Sequence, residues 1–322
     1  MLLPNDDAAA LTLGIVARAF DGAGGLDDLQ RAILDGVTRN AFGLDPAAMS
    51  LPTDDDVARA DAQVRRNAAR IMAVLEFVEH PLRPEVADAV DRFGRDHGLP
   101  VGLLEDAREL SRQHFGVVYF DLQRHGWYEH ETIRESVRGR LVELARSKLA
   151  YVGVVTDSAI ATRWQGLRDC ADGTWGRAVA DFYEMHHFPF PGERNGIYEL
   201  GARHDWVHVL TDYDTSPEGE IDVFSFIAAS MPDDRGVVLL AFTLGLFQNG
   251  SIRHVGGKRI PNVRTDTLSD PDAVSRMVEA LERGHACTTD VMGRLDLFAH
   301  KDDPLDEVRE RFAIVPRSGD PR

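Results

Sequence analysis

Apolar residues recur at helical spacing through almost the whole chain, and convincing period-2 alternation is absent. In the segment that ends near residue 79, Ile71, Val74, Leu75 and Val78 fall on one stripe of a helix. Residues three or four apart share a helix face, whereas a half-buried strand requires strict alternation. The sequence therefore predicts an all-α fold, a multi-helix bundle.

Capping residues and breakers mark where the predicted helices begin and end. Thr53 and the three aspartates after it are typical of a helix N-terminus, and Pro84 is typical of a first helical turn. Glycines and a proline in residues 250–270 indicate a loop or a short hairpin. Helices are predicted over residues 27–41, from 53 to about 79, and over 84–98, 102–124, 130–152, 157–168, 174–187, 197–212, 217–230, 235–248, 271–284 and 303–311.

The charge balance excludes one broad class of function. The chain has 53 acidic and 36 basic residues, a formal net charge of −17, whereas a nucleic-acid binder presents a basic surface. The longest apolar run, residues 237–247, is shorter than the roughly 20 residues of a membrane span and suits a buried core helix. We therefore expect a cytoplasmic protein, and peripheral attachment to a membrane stays open.

Two further features of composition indicate the origin of the chain and its redox environment. Cys170 and Cys287 have no CxxC neighbour, which favours buried thiols in a reducing compartment over a disulfide framework. Lysine is rare beside abundant Ala, Asp, Gly and Arg, a composition typical of a bacterial protein from a high-GC genome.

One short segment concentrates side chains that bind metals. Residues 204–208 read His-Asp-Trp-Val-His, and Glu220 follows after eleven further residues. At about 100° of arc per residue, His204, Asp205 and His208 lie on one side of a helix. Imidazole nitrogens and carboxylate oxygens at that spacing can share one divalent ion.

The segment between His208 and Glu220 has the features of a tight helix-loop-helix connection. Residues 212–217 contain two aspartates, a threonine, a serine and a proline, so they do not easily stay helical. Ser216 is typical of an N-cap and Pro217 of a first helical position. Glu220 is therefore predicted in the first turn of a second helix, from which its carboxylate could fold back onto the histidine pair.

Competing interpretations of this motif are solvated or core histidines and a peptidase site. The chain has 12 histidines, so a chance pair is unsurprising, although no other two are four residues apart in the sequence. HDxxH differs from the HExxH of zinc peptidases by one methylene, and the shorter Asp205 side chain reaches less far than the general base of those enzymes. The ligand set suits Zn²⁺, Mn²⁺ or Fe²⁺.

HDxxH followed after eleven residues by Glu resembles the signature of the coenzyme Q (ubiquinone) biosynthesis protein four family. Residues 172–176, Asp-Gly-Thr-Trp-Gly, are similar to the Gly-Thr-aromatic-Gly stretch of that family. Residues 303–316 are similar to its C-terminal PLxxVRxxxxIxP ending. The resemblance covers about residues 155–317, and residues 1–150 do not match that family.

The resemblance implies a site and a role. It implies a divalent metal ion, with Zn²⁺ as the first candidate, held by His204, Asp205, His208 and Glu220. It also implies a polyprenylated aromatic precursor bound beside that ion, and a role either in organising a biosynthetic protein complex or in oxidative removal of a ring carboxyl group. A metal near that carboxylate would act as a Lewis acid.

The sequence leaves three functions open. The chain is a metal-dependent oxidative decarboxylase of a quinone precursor, a non-catalytic scaffold that binds an isoprenoid lipid and has a structural metal, or a metal-dependent hydrolase. A homo-oligomer is also open. We expect a helical N-terminal domain of unassigned role over residues 1–152, and a helical domain like that of the coenzyme Q biosynthesis family over 153–322.

Overall fold

The predicted all-α architecture is confirmed in the part of the chain that the computed structural model describes. That part contains twelve α-helices and one antiparallel pair of two-residue strands, His254–Val255 and Lys258–Arg259. The helices predicted over 102–124 and 130–152 lie outside the described residues. The structure describes residues 1–81, 83–97, 156–197, 199, 201–250, 254–255, 258–259 and 265–317.

The helices follow the predicted order along the chain, with short 3₁₀ segments between some of them. They are α1 (Asp6–Asp21), α2 (Asp28–Asn40), α3 (Asp54–Arg59), α4 (Ala62–Val78), α5 (Pro84–Asp96), α6 (Ser158–Gln165), α7 (Trp175–Met185), α8 (Arg203–Thr211), α9 (Pro217–Ser230), α10 (Arg235–Phe247), α11 (Ala273–Ala286) and α12 (Leu305–Arg311).

The single helix predicted from Thr53 to about residue 79 is wrong, because the chain forms two helices there. Thr53 caps α3 as expected, with its hydroxyl accepting from the Asp56 N–H. The helix ends at Arg59, and Asp61 then caps α4 by accepting from the Val64 N–H at 2.8 Å. A second N-cap residue within eight positions of the first was the signal for this break.

Two other helices differ from the prediction. Helix α1 was not predicted, although Asp6 and Asp7 place negative charge in its first turn, where the helix dipole favours it. Helix α8 begins at Arg203 rather than at residue 197. Gly196 lies before it in a tight loop, where a Cβ would come within 2.1 Å of the Phe190 carbonyl oxygen.

The described residues group into two compact units, and each unit is drawn from two stretches of sequence. One contains the described parts of Met1–Trp127 and Asp214–Cys287, and the other contains those of Tyr128–Tyr213 and Thr288–Arg322. This grouping differs from the predicted division at residues 152/153. That division follows the extent of the family resemblance, and a separate role for residues 1–152 stays a prediction.

Helix α4 is the central element of the first unit and is buried over most of its length. The last carbonyls of a helix have no partner within it and need one from elsewhere. Here the side-chain amides of Gln30, Gln248 and Asn249 each donate to a carbonyl near the end of α4 at 2.9 Å. These bonds let the helix end inside the protein without a desolvation penalty.

The long apolar run at residues 237–247 forms most of α10, which is a buried helix of the same unit as predicted. Val237, Leu240, Ala241 and Leu244 belong to one hydrophobic core with residues of α4 and α9. None of the helices that the structure describes is long and apolar enough to cross a membrane.

A glycine allows close packing of α9 and α11. A Cβ at Gly284 would come within 2.3 Å of the Phe226 carbonyl oxygen. We expect Gly284→Ala to lower the free energy of unfolding by about 1–3 kcal/mol, as overpacking in a core does. Guanidinium denaturation of the full chain would measure this.

Gly166→Ala is the matched control for this substitution. Gly166 has right-handed backbone angles, and a Cβ there would meet nothing within 4 Å. The control should leave stability unchanged or raise it slightly, because alanine restricts the unfolded chain. Equal denaturation midpoints for the two variants would contradict the packing argument.

Candidate metal centre

Helix α8 places the histidine pair and ends shortly after it. Asp212 follows the helix in the left-handed conformation, with φ of 61°, and the chain turns there. His208 is almost completely buried, at 1% exposure, and Asp205 is also buried, whereas His204 is partly accessible. The helical spacing predicted for these three residues is confirmed.

Both histidine rings are oriented by backbone carbonyl groups. The Nδ1 atom of His204 lies 2.5 Å from the Gly201 carbonyl oxygen, and that of His208 lies 3.0 Å from the Tyr213 carbonyl oxygen. A carbonyl oxygen can only accept, so each Nδ1 donates its proton. A neutral imidazole protonated on Nδ1 has its lone pair on Nε2, and histidines that bind metals are commonly oriented in this way.

Glu220 comes from the first turn of α9, as the sequence predicted. Ser216 caps this helix by accepting from the Gly219 N–H at 3.1 Å, and Pro217 is its first residue. Glu220 and the histidine pair belong to different compact units of the protein, and their coordination of one shared ion stays a prediction.

Asp205, another predicted ligand, lies directly beside His204. Its Oδ1 atom is 3.3 Å from Nε2 of His204. Its Oδ2 atom accepts a hydrogen bond from the buried hydroxyl of Tyr183. Coordination by Asp205 stays a prediction, and the carboxylate has one oxygen directed towards His204.

The sequence did not single out Tyr183 as a site residue. It lies in an aromatic stretch in which Phe182, Tyr183 and Phe190 are buried and Phe188 is exposed. Burial, followed by the negative charge of Asp205, raises the pKa of the Tyr183 hydroxyl. The hydroxyl therefore stays protonated and acts as a donor. Its distance from Asp205 in sequence left no local signal of the contact.

Aromatic rings from other segments pack against Trp206 of α8. Trp206, between the two histidines in sequence, is fully buried. Its ring centroid lies 5.2 Å from that of Trp175, 5.3 Å from that of Phe298 and 6.0 Å from that of Trp164. Edge-to-face packing of large rings makes a rigid support, and the helix that carries the histidines is fixed by it.

The segment that resembles Gly-Thr-aromatic-Gly contacts α8 directly. Trp175 donates from Nε1 to the Trp206 carbonyl oxygen at 3.2 Å. Its backbone N–H donates to the Asp303 carbonyl oxygen at 3.0 Å. Thr174 and Pro304 form an isolated β-bridge. Trp175 and its neighbours thus connect α8 to the C-terminal segment.

The C-terminal segment contacts the other end of α8. Arg309 donates to the carbonyl oxygens of Leu210 and Val209 at 3.0 and 3.2 Å, and to the Asp212 carboxylate at 2.7 Å. A guanidinium at a helix C-terminus satisfies orphan carbonyls and complements the helix dipole. All three segments that carry the family resemblance therefore meet around the helix that holds the histidines.

The two cysteines and the adjacent histidines His186 and His187 add no ligands to the site. Cys170 and Cys287 are both buried thiols with no disulfide, as predicted. Burial raises the pKa of the Cys170 thiol, which disfavours the thiolate that binds metals. Among the described residues, the group of potential metal ligands includes neither His186 nor His187.

Comparison with solved structures gives weak matches. No protein-family model matches the sequence, and no curated protein matches it. The chain is similar to a crystal structure from Nostoc punctiforme PCC 73102 of a protein named, provisionally, as a ubiquinone biosynthesis protein. The two are 16% identical, and the match covers 77% of this chain and 98% of the other with a TM-score of 0.33.

Proposed function

We propose that this protein binds one divalent metal ion and acts in quinone biosynthesis on a polyprenylated aromatic precursor. Zn²⁺ is the first candidate for the ion. The observation that carries the proposal is the meeting of three motif segments, residues 173–176, 204–208 and 304–309, around one helix. The three segments are distant in sequence. Segments of one functional unit are expected to contact each other in the fold, whereas segments that match the motifs by chance are not.

The residues present fit a metal ion. His204 and His208 have Nδ1 bonded to carbonyl oxygens, so each would coordinate through Nε2. Glu220 would supply a carboxylate oxygen as a third ligand. The ion would supply Lewis acidity towards a ring carboxylate of the precursor, while the fixed rings and the aromatic packing of α8 keep the ligands in place.

A second function, a lipid-binding scaffold with a structural metal, is favoured by one observation. Structural zinc sites have four protein ligands and no open position. His208 is 1% exposed and Asp205 is 6% exposed. If Asp205 coordinates together with His204, His208 and Glu220, the ion has four protein ligands and no open position for substrate.

Metal analysis and lipid mass spectrometry of the purified full chain would test the proposal. We expect about one equivalent of divalent metal, together with a polyprenylated aromatic compound in the organic extract. Adding a polyprenylated hydroxybenzoate and O₂ would then separate the two functions, because loss of the carboxyl group indicates an enzyme and an unchanged compound indicates a scaffold. A chain without metal and without bound lipid would refute both.

A further inference from the structure

The side chains of His204 and Asp205 contact each other. With Nδ1 of His204 donating to the Gly201 carbonyl oxygen, Nε2 is the nitrogen available to a metal ion. The Oδ1 atom of Asp205 is 3.3 Å from that nitrogen. A metal ion bound at Nε2 of His204 would therefore lie close to the Asp205 carboxylate.

The Tyr183 hydroxyl holds the carboxylate in this orientation. It donates to Oδ2 of Asp205, so Oδ1 is the oxygen directed towards His204. We propose that Tyr183 is a positioning residue of the metal centre, which orients Asp205 so that its other oxygen faces the ion held by His204. This inference rests on the proposed metal site and assigns a residue to it that the motif does not contain.

The packing of Tyr183 suits that task. Its ring is stacked on Phe190, with centroids 4.9 Å apart and planes inclined by 5°, and it lies 5.6 Å from the ring of Trp164. The residue is 1% exposed. A hydroxyl on a ring fixed from two sides has one position, so the hydrogen bond determines the rotation of the carboxylate.

Tyr183→Phe removes the hydroxyl and keeps the ring. We expect the dissociation constant for Zn²⁺, measured by chelator competition on the full chain, to rise about 10- to 100-fold, as is usual when a partner of a metal ligand is lost. The visible absorption of the Co²⁺-loaded protein should also change, because that band reports the coordination geometry and not the stability of the fold.

Thr38→Val is the matched control. Thr38 is also buried, and its hydroxyl donates to the Leu34 carbonyl oxygen at 2.7 Å, outside the metal centre. The control likewise loses a buried hydroxyl and its hydrogen bond. It should retain the wild-type Zn²⁺ affinity and Co²⁺ spectrum, whatever its effect on stability.

A double-mutant cycle shows whether Tyr183 acts through Asp205. Asp205→Asn keeps an acceptor for the hydroxyl and removes the charge, and it should also weaken Zn²⁺ binding. Adding Tyr183→Phe to Asp205→Asn should then weaken binding little further, since coupled residues are not additive. Additive losses, or wild-type affinity and spectrum in Tyr183→Phe, overturn the positioning role while the metal site stands. Absence of Zn²⁺ and Co²⁺ binding in the wild type overturns the proposed function itself.

Discussion

His208→Ala is expected to reduce the divalent metal content of the purified protein from about one equivalent to near zero. The substitution removes one of the proposed ligands, an imidazole whose Nδ1 atom is bonded to a backbone carbonyl oxygen. Loss of a direct ligand should cost more than the 10- to 100-fold in affinity that loss of a ligand's hydrogen-bond partner costs. Elemental analysis of the wild type and the variant, purified in parallel, would measure it.

Two further variants make this result specific. His187→Ala removes an exposed histidine that is not a proposed ligand and should retain the full metal content. Because His208 also stacks on Phe182, with ring centroids 5.8 Å apart, its loss affects packing as well. Glu220→Gln changes little in shape and removes the charge, so it should lower the metal content without that defect. Equal metal content in the wild type and all three variants would refute the proposed metal site.

Local signals in the sequence predicted the parts of the site that lie close together along the chain. Ser216 and Pro217 placed the start of α9, and with it Glu220, because capping depends on neighbouring residues. The spacing of His204 and His208 placed both on one helix face, because helical periodicity also depends only on residues close together in sequence.

The contacts that orient the ligands could not be predicted in this way. The carbonyl oxygens that hold the histidine rings carry no side-chain signature, and Tyr183 reaches Asp205 from 22 positions away. Arg309 reaches α8 from about 100 positions away. Such partners are chosen by tertiary packing, which a pattern of single residues does not encode.

The split of α3 from α4 shows a different reason for error. Helical periodicity continues through residues 53–79, so hydrophobic spacing alone indicates one helix. Asp61 ends that continuity by taking extended backbone angles and capping a new helix. The hydrogen bond between the Asp61 side chain and the nearby backbone interrupts the helix despite the continuous hydrophobic periodicity. Side chains of this type commonly compete with helical backbone bonding.

Arg276→Met is expected to lower the free energy of unfolding by about 3–5 kcal/mol, the usual cost of removing one partner of a buried ion pair. The Asp222 carboxylate on α9 is 1% exposed. Arg276 on α11 donates to its Oδ2 atom from Nε at 2.8 Å and lies 2.6 Å from it through a terminal nitrogen. The variant leaves that carboxylate buried without its guanidinium, and chemical denaturation would measure the loss.

Removing the second charge tests the cause of this loss. If the buried charge of Asp222 is responsible, Asp222→Asn combined with Arg276→Met should recover part of the stability, because a neutral amide costs less to bury than a carboxylate. A double variant less stable than Arg276→Met alone would show that the Arg276 stem and its contact with Asp214, at 3.6 Å, matter more than the pair. Since Asp214 accepts from the backbone N–H of Ser216, the N-cap of α9, that outcome would make Arg276 chiefly an anchor for the start of the helix that carries Glu220.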